Sequence, residues 1–207
     1  DDRGSVYEDP DGKYVFRASG LGGCTSSLVR HGLGMTAEPF PASMYDRFEE
    51  GNVAEPVMLG WINTPSGGWK VWDEGDLEVF AGTHGGRMQY LEDDGDGKAQ
   101  IELDIPVGKK GLIRVHPDGI ATCFLITPEA KKRYPELKTG TQVVVEAKAF
   151  GPDYYKKYKK DGVDVFPFYR YQVSVEMAAT GLPCLFIVGQ KDKDGIVKED
   201  KIEWELI

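Results

Sequence analysis

The stretch that decides the fold is VVVEAKAF, residues 143–150. Its aliphatic residues predict a buried β-strand, although Glu146 and Lys148 interrupt it two residues apart. Side chains alternate across a strand, so this acid and this base point to the same face. Burying both charges costs free energy unless each has a partner. The simplest interpretation is a structural salt bridge at the strand end, and the alternative is a chemical site.

The composition of the 207-residue chain is that of a globular protein, with 41% hydrophobic and 29% charged residues. We expect one domain over residues 1–207. The sequence has no apolar run of membrane-spanning length and no signal-peptide pattern, so we expect a soluble cytoplasmic protein with no membrane partner. Three isolated cysteines argue against a disulfide framework. The net charge of −9 by itself argues against a polyanionic partner.

Local patterns predict the main helices and strands. Ser43 and Asp46 have capping-box spacing and predict a helix to Trp61 that is kinked or restarted at Pro56. Glycines and aspartates predict short strands and turns over residues 63–110, with an exposed tip at 93–97. We further predict helices over 19–32 and 168–180 and strands over 112–115, 120–126, 142–150, 185–189 and 202–206.

Asp118 lies in the turn sequence His116-Pro-Asp-Gly119 between two predicted strands. It either only initiates the turn or brings a second carboxylate close to Glu146 and Lys148. Two carboxylates suit Mg²⁺ or Mn²⁺, hard cations that keep several waters and accept phosphate oxygens as ligands. A nearby lysine would help to activate water and to neutralise charge on an attacked phosphate.

An aspartate followed on the next strand by E-x-K, here Asp118 and Glu146-Ala147-Lys148, resembles the core motif of the PD-(D/E)XK nuclease superfamily. The resemblance implies an α/β fold with a central mixed β-sheet flanked by helices and a restriction-endonuclease-like core. It also implies that Asp118, Glu146 and the carbonyl of Ala147 hold Mg²⁺, with Mn²⁺ able to substitute. Lys148 would then position and activate the attacking water.

Two further segments resemble the phage-type exonucleases of this superfamily, the group of lambda exonuclease, viral recombinases and RecB-like enzymes. In FEEGNVAEP, residues 48–56, Glu55 would complete the metal site or help to hold a second ion, and an exposed helical carboxylate is the alternative. In YRYQVSVEMAATG, residues 169–181, Gln172 would orient Lys148 or a substrate phosphate. Glu176 stands where the RecB-type and CRISPR-associated branches have a tyrosine, which favours the phage-type branch.

Other residues are candidates for DNA contacts. RASGLGGC, residues 17–24, resembles a segment of this group that faces DNA, so Arg17 and Ser19 are candidates, with a helix cap as the alternative for Ser19. Cys24 has no C-x-x-C companions near Cys184, so we expect no iron–sulfur cluster.

The tract YYKKYKK, residues 154–160, interleaves aromatic residues with lysines. It either binds DNA through Tyr154, Lys156 and Lys157 or is an exposed amphipathic connection. Together with Arg17 and Arg30, it would form a local basic track that reconciles DNA binding with a net charge of −9.

The resemblance implies a metal-dependent DNA exonuclease that leaves 5′-phosphates and acts in phage-type recombination, repair or DNA degradation in a bacterial or phage-infected cell. A structure-directed endonuclease and a catalytically inactive nucleic-acid-binding module of the same fold are the alternatives. The implied partners are DNA and a recombinase or single-strand-binding protein, and a homo-oligomer is compatible with the resemblance.

Overall fold

The structure of the protein, a computed structural model, describes residues 6–22, 42–90 and 99–207. In chain order these residues form β1 (Val6–Glu8), β2 (Tyr14–Arg17), a 3₁₀ turn (Ala18–Gly20), α1 (Ala42–Ile62), β3 (Trp69–Val71), α2 (Glu74–Thr83), β4 (Arg87–Tyr90), β5 (Ala99–Val107), β6 (Gly111–Val115), β7 (Gly119–Cys123), α3 (Pro128–Arg133), β8 (Gln142–Phe150), α4 (Pro152–Asp161), a second 3₁₀ turn (Val163–Val165), α5 (Pro167–Thr180), β9 (Cys184–Lys191) and β10 (Val197–Leu206). The strand predicted over residues 142–150 is confirmed as β8.

β8 is the middle strand of a sheet with the order β10-β9-β8-β7-β3, which we call the β8 sheet. It pairs in parallel with β9, where Glu146 lies beside Phe186, and antiparallel with β7, where Val145 lies beside Gly119. A strand with neighbours on both sides and helices on both faces must be apolar over most of its length. This position explains the run of valines in the sequence.

Different helices cover the two faces of the β8 sheet. α1 covers one face, and its buried residues share a core cluster with residues of β8 and β9: Ala54, Met58, Val145, Leu185 and Ile187. α4 covers the other face through Tyr158, whose ring contacts Phe150 and Phe186. Because side chains alternate along β8, Glu146 shares the α4 face with Phe150.

A second sheet has the strand order β1-β2-β6-β5-β4 and packs against α5. Of the described residues, one compact unit contains 6–22, 77–90, 99–117 and 166–181, and the other contains 42–76, 118–165 and 182–207. The fold is therefore α/β with two mixed sheets flanked by helices, whereas the sequence predicted one central sheet. The restriction-endonuclease-like core and the single domain stay predictions.

The second sheet was missed because the turn at residues 116–119 looks like a hairpin connection. β6 and β7 follow each other directly, yet they belong to different sheets. β6 pairs with β2 and β5, and β7 pairs with β3 and β8. Turn composition predicts a change of direction, but it does not select the strand with which the chain pairs next.

The prediction of only strands and turns over residues 63–110 is wrong at α2. Leu77, Phe80 and Ala81 follow a helical spacing, and the last two are buried. Asp73 caps the helix by accepting a hydrogen bond from the backbone N–H of Asp76 at 3.0 Å. Gly75 and Gly82 made a helix look unfavourable in this segment, because glycine has a low helix propensity.

The other predicted elements are confirmed or corrected at their ends. α1 begins at Ala42 and continues through Pro56 to Ile62, so the helix does not restart at the proline. The strand predicted over 120–126 ends at Cys123, because Phe124 and Leu125 donate backbone hydrogen bonds to the carbonyl of Gly68. α3 was not predicted. Most of the helix predicted over 19–32, and the tip at 93–97, lie outside the described residues.

None of the helices in the described ranges is long and apolar enough to cross a membrane.

A buried ionic network joins β5 and β6 in the second sheet. The guanidinium of Arg114 donates two hydrogen bonds of 2.8 Å to Asp104 and one of 2.8 Å to the hydroxyl of Tyr7. It also lies 3.2 Å from a carboxylate oxygen of Glu102. Burial opposes ionisation of Glu102, but the hydrogen bond from His116 and the charge of Arg114 hold its pKa below the usual value. Arg114 is the cation that the two acids share.

We predict that Arg114→Met lowers the free energy of unfolding by about 3–5 kcal/mol, because it leaves Glu102 and Asp104 without their shared cation. Arg87→Ala is the matched control: Arg87 also pairs with Glu102, but its side chain is 65% exposed, so the loss should stay below about 1 kcal/mol. Urea denaturation at neutral pH measures both values. Equal losses for the two variants would contradict a central role for Arg114.

Candidate active site

Asp118 lies one residue before β7 and continues the ladder with β8. Its backbone N–H donates a hydrogen bond to the carbonyl of Val145 at 3.1 Å. Its Oδ2 accepts a hydrogen bond from the backbone N–H of Ala147 at 2.8 Å. The side chain thus takes the place of a strand carbonyl as the acceptor for Ala147. This bond holds the carboxylate against the Glu146-Ala147 peptide.

The carbonyl of Ala147 is directed to the same edge of β8 as Asp118. Alternate residues of a strand direct their peptide groups to opposite neighbours. The carbonyl of Val145 accepts a hydrogen bond from Asp118 on the β7 side. The N–H and the carbonyl of Ala147, two residues later, therefore also face β7. The Ala147 carbonyl therefore faces the same neighbouring strand as the Asp118 carboxylate.

Glu146 and Lys148 form an ion pair on the α4 face of β8. Glu146 is fully buried, whereas the side chain of Lys148 is 25% exposed. The prediction that both side chains share a face is confirmed, and so is the simple salt bridge. A buried carboxylate that has a cation beside it is held in place, whether or not it also takes part in chemistry.

Glu55 is partly buried on α1, whose neighbouring residues Ala54 and Met58 pack on the opposite face of the sheet from Glu146. Within residues 6–22, 42–90 and 99–207, no group of three or more His, Cys, Asp or Glu side chains is placed to hold a metal ion. The structure thus places Asp118 against the backbone of Ala147 and Glu146 beside Lys148. A third acid from Glu55 stays a prediction.

Gln172, Arg17 and Ser19 belong to the other compact unit. Gln172 lies on α5 and donates a hydrogen bond from Nε2 to Oε1 of Glu176 at 2.9 Å. A polar cavity of about 80 Å³ in this unit is lined by Arg17, Ser19, Arg114, His116, Gln172 and Glu176. Three of the residues named from the sequence therefore lie around one cavity.

Arg114, His116 and Glu176 also line this cavity, and the sequence did not indicate them as site residues. Glu176 is fully buried and Arg114 nearly so. A charged residue inside an apolar strand or helix is a sequence feature that can indicate a site residue. Arg114 in GLIRV, residues 111–115, has this feature. Because acids and bases both border the cavity, its lining does not select an anion by charge alone.

The lysine tract forms α4, an amphipathic helix. Tyr155 and Tyr158 are buried on the sheet side, whereas Tyr154, Lys156 and Lys157 are exposed. Burial, with the nearby charges of Glu203 and Asp200, raises the pKa of Tyr155 to about 12, so its hydroxyl stays protonated and adds no negative charge. The exposed lysines are compatible with DNA contact or with a solvated surface. Arg30 lies outside the described residues.

No protein family, curated protein or solved structure matches the chain. The nuclease motif that Asp118 and Glu146-Ala147-Lys148 resemble therefore remains an expectation from the sequence.

We predict that Asp118→Ala lowers the free energy of unfolding by about 1–3 kcal/mol, because the N–H of Ala147 loses its acceptor. Asp118→Asn keeps an acceptor oxygen, so its loss should stay below about 1 kcal/mol. Chemical denaturation compares the two variants. If alanine is tolerated as well as asparagine, the hydrogen bond does not stabilise this edge of the sheet.

Proposed function

We propose that the protein is a metal-dependent deoxyribonuclease, favouring an exonuclease that leaves 5′-phosphates. The observation that carries the proposal is the 2.8 Å hydrogen bond that holds the Asp118 carboxylate against Ala147, on the same strand that carries the Glu146–Lys148 pair. The acid in the turn and the E-x-K sequence on the strand are distant in the chain, and a phosphodiester-cleaving site of this type needs them close together.

The donor atoms at this edge fit Mg²⁺. The two carboxylates of Asp118 and Glu146, with the carbonyl of Ala147, are hard oxygen ligands. Mg²⁺ is commonly held by one or two carboxylates while it keeps several waters, so a third acid is not required. When bound, such an ion polarises a phosphate oxygen and favours ionisation of water. Mn²⁺ prefers the same donors and would substitute.

The side chains of the site would have separate tasks. Asp118 is pre-positioned by the 2.8 Å bond from Ala147, so it loses little freedom when a ligand binds. Lys148 is a cation with a partly exposed end, and it would position the attacking water and offset charge that develops on the phosphate. Glu146 keeps this ammonium charged and in place. In-line attack would then expel the 3′ oxygen without a covalent enzyme intermediate.

Gln172 would act through its amide. One N–H of its Nε2 donates to Glu176. The amide has a second N–H and a carbonyl oxygen, so it could orient either an ammonium group or a substrate phosphate.

A nucleic-acid-binding module without catalysis is the second candidate. It needs only DNA contact, which the exposed Lys156 and Lys157 of α4 could supply without metal chemistry. A structure-directed endonuclease is the alternative within the nuclease class. The same proposal includes action in phage-type recombination, repair or DNA degradation. It also includes a recombinase or single-strand-binding partner, a homo-oligomer, and a cytoplasmic location in a bacterial or phage-infected cell.

We predict that Asp118→Asn lowers Mg²⁺-dependent cleavage of linear DNA by about 100-fold or more, since the variant loses a charged oxygen ligand but keeps the bond to Ala147. Asp200→Asn, an exposed acid on β10, is the matched control and should cleave at the wild-type rate. A gel assay with Mg²⁺, Mn²⁺ or chelator measures the rates. Wild-type activity in Asp118→Asn would refute the assignment.

The same assay separates the nuclease classes when linear, nicked and covalently closed circular DNA are compared. An exonuclease degrades linear DNA and leaves the closed circle intact, whereas an endonuclease cuts the circle. No cleavage of any substrate, together with measurable DNA binding, would favour the inactive module.

We predict that α4 contributes phosphate contacts. The double variant Lys156→Ala/Lys157→Ala should reduce the magnitude of the slope of log K against log salt concentration by about 1–2. The reason is that the variant contacts fewer phosphates, so its binding releases fewer counterions. Lys132→Ala/Lys138→Ala removes the same charge from other exposed positions of the same unit and should leave the slope unchanged. Fluorescence anisotropy in chelator measures binding without cleavage. Equal slopes for both double variants would exclude α4 from the DNA contact.

A further inference from the structure

β10 forms one edge of the β8 sheet. It is ten residues long, and among the described residues it pairs only with β9. The outer side of an edge strand presents N–H and C=O groups that can pair with an extended segment of another chain. Strands usually have only about five or six residues, so this edge is long enough to add a strand unless something covers it.

The ladder with β9 fixes which peptide groups of β10 point outward. The N–H of Ile207 donates a hydrogen bond of 2.9 Å to the carbonyl of Cys184, and the carbonyl of Ile207 accepts one of 3.1 Å from the N–H of Cys184. Alternate residues of an antiparallel strand direct their peptide groups to opposite sides. The N–H and C=O of Glu205 therefore face β9, whereas those of Trp204 and Leu206 face the outer side.

Two side chains at the end of α3 bond to these outward groups. Nη1 of Arg133 donates a hydrogen bond to the carbonyl of Trp204 at 3.3 Å. The hydroxyl of Tyr134 accepts a hydrogen bond from the N–H of Leu206 at 2.9 Å. One side chain thus acts as a donor and the other as an acceptor, as the backbone of a further strand would. We call Arg133 and Tyr134 the edge cap.

Ring and charge contacts hold the edge cap against β10. The ring of Tyr134 stacks on Trp204, with centroids 5.5 Å apart and planes 18° apart. The guanidinium of Arg133 lies 5.3 Å from the centroid of the Tyr134 ring and 3.9 Å from a carboxylate oxygen of Glu205. α3 itself is anchored through Ala130, which belongs to the core cluster of the sheet. Several independent contacts therefore keep the two side chains at the strand edge.

The edge cap is not a tightly packed layer. A cavity of about 180 Å³ is lined by residues of both elements, among them Ala130 of α3 and Trp204 of β10. The side chain of Arg133 is 56% exposed, and an ion pair made by an exposed side chain contributes little stability. Substitution can therefore remove the edge cap while the core residues stay in place.

We propose that Arg133 and Tyr134 block the addition of a further strand to β10. The partner that they exclude is an extended segment with alternating apolar and basic residues. This chemistry follows from the two faces of β10, because Trp204 packs on the core face while Glu203 and Glu205 lie on the other face. The inference is independent of the proposed nuclease function, since it concerns the backbone groups of a sheet edge.

Amide hydrogen exchange of the folded protein tests the contact at the strand edge. Tyr134→Phe keeps the ring on Trp204 but removes the acceptor for the N–H of Leu206. This amide should exchange at least about fivefold faster than in the wild-type protein, whereas the amide of Glu205, which faces β9, should keep its rate. An unchanged rate at Leu206 would show that the hydroxyl does not protect the edge and would overturn the proposal.

Peptide binding tests strand addition directly. The probe is a fluorescein-labelled peptide of alternating valine and lysine residues, and anisotropy measures its affinity. Arg133→Ala/Tyr134→Phe should bind the probe at least about tenfold more tightly than the wild-type protein, because two outward backbone groups become open to the peptide. A peptide with proline in place of every second valine should not bind, since proline has no N–H for the ladder.

Lys132→Ala is the matched control. It removes an exposed cation of the same helix and should bind the probe as the wild-type protein does. Circular dichroism checks that each variant is folded. If the double variant is not folded, Arg133→Ala alone should still bind the probe at least about threefold more tightly than the wild-type protein. Equal probe affinities for the wild-type protein and the variants that lack the edge cap, or equal binding of the proline peptide, would overturn the proposal.

Discussion

The hydrogen bond from the backbone of Ala147 to the carboxylate of Asp118 is the contact on which the candidate site depends. β8 lies between β7 and β9, so its register is fixed from both sides. A shift of one residue would turn Glu146 and Lys148 to the α1 face, among the residues that pack with Met58. The same register that buries the valines therefore also sets the position of the acid, the carbonyl and the amine.

This arrangement joins stability and chemistry in one strand. Glu146 lies fully buried beside Lys148, which is tolerable because the two charges compensate each other. An ion pair of this kind would stabilise the strand in an inactive protein as well, so the pair alone does not identify an enzyme. What distinguishes the site is the second carboxylate, which the turn before β7 brings to the Ala147 peptide.

The sequence was most informative where the side-chain period is clear. β8 and α5 were predicted closely, because a run of valines and a helix stop at Gly181 are local signals, and the observed αL conformation of that glycine agrees. The second sheet was not predicted, because strand pairing depends on distant residues. α2 was missed since its two glycines weaken a correct helical spacing. At the site, the shared face of Glu146 and Lys148 followed from strand alternation, whereas Arg114 and His116 could not be placed beside Gln172 without the fold.

We propose that Asp118 and Glu146, with the Ala147 carbonyl, hold a divalent cation. Titration of the protein with Mn²⁺, followed by the loss of the free-ion electron paramagnetic resonance signal, tests it without reference to DNA or cleavage. We expect the wild-type protein and Asp200→Asn to bind Mn²⁺ equally and Asp118→Asn to bind it at least about tenfold more weakly. Identical titrations for the wild-type protein and Asp118→Asn would contradict the account.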